Sequence, residues 1–480
     1  MTGAGPLSGS DAFGRGDLGR GDLEPAGQVA ERALAAGHGD ECVVVVEDGA
    51  EIEVRFANNQ PTSNGRRRVR RVTVAVFHRG AAGRSVGVVS RGGAVDVDDL
   101  VASARADAAA ASPADDAAPL VDGDVDRDFD DPPPGTGPEV LQGVIGELGE
   151  AFAMARSSGH VLAGFAEHAM STVTVASSTG LRRRHVQPTG RIQVVARAGD
   201  GSASAWVGRG TRNFDDVSLH GLHREAADRL GWSARRVDLP AGHYDTVLPP
   251  DAVADLVCML GDAVGGRDAE DGQSVLSAPG GGTRLGEQLF ALPFELRSDP
   301  AEAGLACCPF VVATASARDV SVFDDGMPLS RTAWVEAGRL ARLRYHRAAA
   351  ARSGVQPAGP IDNLVLELPG AAGSVGDLVA GVERGLLLTC LWYIREVDPT
   401  TLLLTGLTRD GVYLVERGEV VGAANNFRFN ESPVDVLARA GVAGSTQLAL
   451  SREWNEWFPR TAMPPLRVPD FSMSSVSPAT

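Results

Sequence analysis

The two histidines closest together in this sequence stand in His220-x-x-His223-x-Glu225. Residues three apart on a helix share a face, so two imidazoles there can meet one metal ion. A protease zinc helix instead places a glutamate directly after its first histidine, as the base. Here the glutamate follows the second histidine, and that chemistry does not fit. The plainer reading is two partly exposed polar residues near a helix start, and no metal is expected at this pair. Two arginine-rich runs, Arg66 to Arg71 and Leu181 to His185, are of the kind that touches nucleic acid. In so acidic a chain they read as strand edges kept soluble by arginine. The glycines Gly280 to Gly282 lack the following Lys-Ser/Thr of a phosphate loop, and no Gly-x-Ser-x-Gly elbow occurs. The paired acids of SVFDDGMP do not by themselves define a general acid and base.

A second stretch, VLPPDAVADLVCMLGDAVGG from Val247 to Gly266, reads as a helix. Its prolines suit the first helical positions, and Asp251 suits the positive end of the dipole. Ala252, Val253, Leu256, Val257 and Leu260 form an apolar stripe. Asp251, Asp255 and Asp262 lie on the other side. The stretch holds neither histidine nor glutamate, and Cys258 sits alone on the apolar stripe, where a core role suits it best.

These residues are carried by 480 residues, a length that suits two or three domains. The chain is 43% hydrophobic, so it can bury a large core, and its net charge is -17 with arginine as its only strong base. That acidity argues against direct nucleic-acid binding, which needs a basic face. No apolar run is long enough to span a bilayer. Residues 1–22 read as a disordered tail without the order of a signal peptide. The cysteines Cys42, Cys258, Cys307, Cys308 and Cys390 form no C-x-x-C pair. They read as buried thiols of a reducing cytoplasm.

The periodicity predicts an α+β domain over 23–241. It has helices at Leu23 to Ala36, Asp96 to Ala111, Pro138 to Arg156 and Phe214 to Leu230. Strands are expected at Glu41 to Glu47, at Glu51 to Asn59, and at Arg71 to His78 hairpinned to Ser85 to Ser90. More strands are expected over His160 to Val175 and Arg191 to Val207. Residues 112–138, rich in Asp and Pro, read as a surface loop. A β-rich domain over 242–475 follows, interrupted by a helix predicted from Thr332 to Ser353 and another in GSVGDLVAGVERG.

Several phrases of the second half occur in a recognisable order: RLGEQLF, SVFDDGMPLSRTAWVEAGRLARLRYHRAAAARSG, ERGLLLTCLW, TGLTRDGVYLVERGEVVGAANNFRFNESPVDVLARAG and MPPLRVPDFSM. The set resembles the TldD/PmbA family of peptidase subunits, over nearly everything from Leu23 to Ser474. The resemblance implies a two-domain fold, an α+β N-terminal domain and a β-rich, barrel-like C-terminal domain. It also implies a heterodimer of a TldD-like and a TldE-like (PmbA) subunit acting on unfolded or small peptides. The TldD-like subunit holds zinc through a His-Glu-x-x-x-His helix and a later cysteine. The matching helix here is Asp251 to Leu260, without histidine. The later ligand falls near Ser451 to Met463, without Cys or His. The resemblance therefore implies the TldE-like branch, with no metal or catalytic residue in this chain, zinc in the TldD-like partner, and Asn425, Asn426 and Arg428 as peptide-binding candidates. The alternatives are a self-sufficient metallopeptidase of the same family and a regulator of the DNA gyrase modulator type.

Overall fold

A computed structural model describes residues 24–477. The tail expected over 1–22 lies outside the described residues. The first sheet is a six-stranded antiparallel array in the order β3-β2-β1-β4-β5-β6. Its strands are β1 (Glu41–Ala57), β2 (Gln60–Gly80), β3 (Gly83–Gly92), β4 (His160–Ser177), β5 (Arg182–Ala198) and β6 (Ser204–Thr211). Four helices cover one face: α1 (Ala26–Ala36), α2 (Val97–Ala110), α3 (Gln142–Ser157) and α4 (Leu219–Trp232).

Strand alternation explains the layering, because successive side chains point to opposite faces. Val44, Val46, Val72, Val74 and Val76 meet Val29, Leu100 and Ala104 under α1 and α2. Val43, Val45, Phe77 and Val175 point the other way and pack on Phe310, Val312 and Phe323 of the second half. The alanine-rich α2 lies very close to β3. A Cβ on Gly87 would meet the Ala104 carbonyl oxygen at 2.1 Å, so only glycine fits there.

The predicted strands Glu41 to Glu47 and Glu51 to Asn59 are a single strand. Asp48-Gly49 reads as a turn, but Arg70 on β2 neutralises Asp48 with two bonds of 2.6 and 2.8 Å. Gly49 lies between Val69 and Ser171 in mid-sheet. The arginine runs lie where an edge was expected. They sit on β2 and β5, but β3 pairs only Arg71 to Gly80 and β6 only Gly190 to Arg197, so apart from Arg71 each run has a strand on one side alone. Arg183 pairs with Asp124 and Asp126, and Arg184 with Asp128, so this run clamps the acidic 112–138 segment onto the sheet.

The second half contains a six-stranded and a ten-stranded sheet. The larger runs as an open path from Leu391–Asp398 at one end to Arg236–Val237 at the other, so it is barrel-like only loosely. Both pack around α5 (Pro250–Asp262), whose residues Ala252 to Leu260 are all buried. The helix predicted from Thr332 to Ser353 is mostly something else. Thr332–Glu336 is a strand, Arg339–Leu340 returns beside it, and only Arg347–Ser353 is helical. Ala337 and Gly338 adopt φ of 48° and 77°, which makes the tight turn that the alanine-rich text conceals. The predicted helix at Phe214 starts later, at Leu219, where the Ser218 side chain accepts from the Gly221 N–H.

Candidate functional site

The helix and the C-terminal segment that the sequence singles out as metal-site counterparts meet in space. Asp251, in the first turn of α5, accepts the Leu450 N–H at 2.8 Å. One turn on, Asp255 Oδ1 accepts the Ser451 hydroxyl at 2.7 Å and the Glu453 N–H at 3.0 Å. The Trp454 indole donates to the Asp255 carbonyl at 2.8 Å. The acidic side of α5 is therefore a docking strip and not a solvated face. Burial pushes Asp255 up to about 7, against the pull of Ser451 and the Glu453 N–H. Burial also pushes the Cys258 thiol well above its usual range.

Residues Ser451 to Arg460 then reach across to the first sheet. The Arg452 guanidinium lies 5.6 Å from the Trp206 ring centre and 4.6 Å from that of Trp392. It bonds Asp410 at 3.0 Å and also contacts the Cys390 sulfur. Asn455 accepts from Arg191 and from Gln193, both on β5. Arg460 donates to Thr189 at 2.8 Å and to the Asp362 carbonyl at 2.9 Å. Burial holds Arg460 down at about 10.

This donor set does not suit a catalytic zinc. Such a site needs about three imidazole, thiolate or carboxylate ligands and an open position. The junction offers no imidazole, its thiols Cys258 and Cys390 are held protonated by burial, and Asp255 and Glu453 already accept backbone N–H groups. Among the described residues, three ligand atoms lie within 4.8 Å of one another only at Glu51, Glu53 and Glu167. Two of those are already paired, Glu167 with Arg191 and Glu53 with Arg55, each at 3.0 Å.

Two cavities flank the Ser451–Arg460 segment where it faces the first sheet. One, of about 100 Å³, has Glu47, Glu51, Arg67 and Glu167 on its floor and Asn455 and Arg460 on its roof. Burial pushes Glu47 up to about 7, and its Oε2 has no hydrogen-bond partner. The other, of about 280 Å³, lies between Thr211, Arg212 and Leu448 and shares Thr189, Pro459 and Arg460 with the first. Sequence reading missed both. The one available signal is the alternation Glu47, Glu51, Glu53, which puts three acids on one strand face.

Asn425, Asn426 and Arg428 line neither cavity. Asn425 accepts the Leu239 N–H at 2.7 Å, Asn426 takes a 3.4 Å contact from the Thr408 hydroxyl, and exposed Arg428 reaches Thr405 at 3.3 Å. The histidine pair is not as read: His220 is half-buried, but His223 is only 3% exposed.

Residues 135–234 match the PmbA/TldA metallopeptidase central domain, and 241–475 match the C-terminal domain of the same group. Among solved structures, TldE from Thermococcus kodakarensis superposes with a TM-score of 0.75 at 16% identity, over 92% of this chain and 99% of that one. A candidate modulator of a DNA gyrase from Thermotoga maritima gives 0.74 at 16% identity, over 93% and 99%. One from Bacteroides thetaiotaomicron gives 0.70 at 14%, over 93% and 98%. No curated relative matches the sequence closely enough to be compared.

Proposed function

Because the chain belongs to the TldD/PmbA family, we propose that it is a TldE-like subunit without a catalytic metal. It would pair with a homologous, zinc-bearing TldD-like subunit that cleaves unfolded or small peptides. The observation that carries this reading is the α5 junction. Asp255, Ser451, Glu453 and Trp454 close on one another through hydrogen bonds at the helix and segment where the resemblance would put the ion of the metal-bearing branch. In this reading the chain's own chemistry is positional. The Ser451–Arg460 segment fixes the two halves together, and the segment Asn425, Asn426 and Arg428 helps to hold an extended peptide. Pairing of peptide backbone along a strand edge is the natural mode for such a substrate.

The test is co-expression with a homologous subunit carrying His-Glu-x-x-x-His, then digestion of an unfolded peptide by each chain and by the pair. Cleavage by the pair alone, abolished by a chelator, supports the reading. Chelator-resistant cleavage by this chain alone contradicts it. No helix among the described residues is long and apolar enough to cross a membrane.

A further inference from the structure

The His220-x-x-His223 pair, set aside on sequence grounds, has a third member. His160 opens β4, and its carbonyl is fixed by the Asn59 side chain at 2.8 Å. Its ring stands 6.5 Å from that of His223, centre to centre, and nearly perpendicular to it. From α3, Glu147 and Glu150 approach the two nitrogens of His220, each at 3.4 Å. Thus β4, α3 and α4 bring three imidazoles and two carboxylates to one place.

Three ring nitrogens in this group are buried and meet nothing, His160 Nδ1 and both nitrogens of His223, while His220 Nε2 meets only Glu150. A buried polar group without a partner costs about 1–3 kcal/mol. Concentrating three of them beside two acids is expensive unless something else satisfies them. One water can bridge a ring nitrogen to a carboxylate, but it cannot serve all of these groups together. A cation can take several imidazole nitrogens and a carboxylate oxygen at once. Imidazole nitrogen with carboxylate oxygen is the donor set of borderline divalent ions such as zinc, cobalt and nickel.

We propose that His160, His220 and His223, with Glu150 completing the set, bind one divalent transition-metal ion; Glu147 is held by the His220 backbone N–H at 2.8 Å and the Ser218 hydroxyl at 3.2 Å. As placed, the rings are too spread to share it, so binding would draw half-buried His160 and His220 toward fixed His223. The site shares no residue with the α5 junction and does not depend on the subunit reading. Its ion would tie α3 and α4 to the first sheet and take no part in peptide cleavage.

The test uses the full chain, purified without a polyhistidine tag and stripped by chelator. It is titrated with Zn²⁺ by calorimetry and with Co²⁺ by visible absorption. The expected result is one ion per chain with a tetrahedral Co²⁺ spectrum. His223→Ala and His160→Ala should each weaken binding at least about tenfold, since even losing a ligand's supporting partner costs 10–100-fold. His78→Ala, at an exposed position on β2, should change nothing. Zn²⁺ should also raise the melting temperature of the wild type and not of the variants. Should His223→Ala fail to fold, His220→Ala at the half-buried position gives the same reading. No binding to the folded wild type would overturn the proposal, and so would undiminished binding in a His160→Ala, His220→Ala double variant.

Discussion

The α5 junction and the histidine group are both buried polar clusters, yet the first is nearly closed, with Asp255 Oδ2 left bare, and the second is more open. At the junction each main donor finds an acceptor: the Ser451 hydroxyl, the Glu453 N–H and the Trp454 indole all end on Asp255. In the histidine group His160 Nδ1 and both nitrogens of His223 end on nothing. The difference shows that polarity and burial alone do not mark a ligand site. A cluster that is mostly satisfied behaves as a joint, whereas one with several bare nitrogens has capacity left for something else.

Several substitutions can break that contrast. The largest effect should come from Arg452→Ala. Its side chain is 9% exposed and its partner Asp410 is 7% exposed, so the change leaves a buried carboxylate with only Ser204 and Arg409 and empties the space between two tryptophans. A loss of roughly 3–5 kcal/mol is expected, measured by denaturant unfolding. A loss below about 1 kcal/mol would show that the segment does not join the two halves.

Asp255→Ala should cost about 3 kcal/mol, because Ser451 and the Glu453 N–H lose their acceptor together. Asp255→Asn keeps an acceptor and should cost less, with a pH signature. Burial raises the folded carboxyl from its ordinary 3.8 to about 7. Its contribution is therefore greatest below the unfolded value and is lost as pH rises through about 7. The wild type should lose its advantage over Asp255→Asn between about pH 4 and 8, and a constant difference across that window would refute the assignment.

In the metal-free protein His223→Leu should be near neutral, within about 1 kcal/mol, because it removes an unpartnered group and replaces it with an apolar one. An Asp255-like loss there would mean that unseen partners satisfy the ring. The smallest effect should be Arg428→Ala, within about 0.5 kcal/mol at an exposed site. Combined with Asn425→Ala and Asn426→Ala, it should weaken peptide cleavage by the pair and leave the dimer intact.

The fold class was legible because strand alternation and helical spacing are local signals. Legibility failed where a distant residue decided a local outcome. Asp48-Gly49 looks like a turn until Arg70 is placed beside it. The helix expected from Thr332 gives way to a hairpin because Ala337-Gly338 turns tightly and Trp334 and Val335 are buried in the core. The counterparts of the metal site were found through family resemblance, and their contact through Asp255 and Ser451 needed the structure. The histidine group was half visible. The i, i+3 pair stands in the sequence, but His160 comes from another strand and no local pattern points to it.

The central claim is that this chain is the metal-free half of a peptidase pair. The most direct measurement is cleavage of one unfolded peptide by zinc-supplemented samples of this chain alone, of its TldD-like partner alone, and of the two combined. The account predicts cleavage only in the combined sample, abolished by chelator and unchanged when this chain carries His223→Leu. Cleavage by this chain alone, with or without chelator, would contradict it.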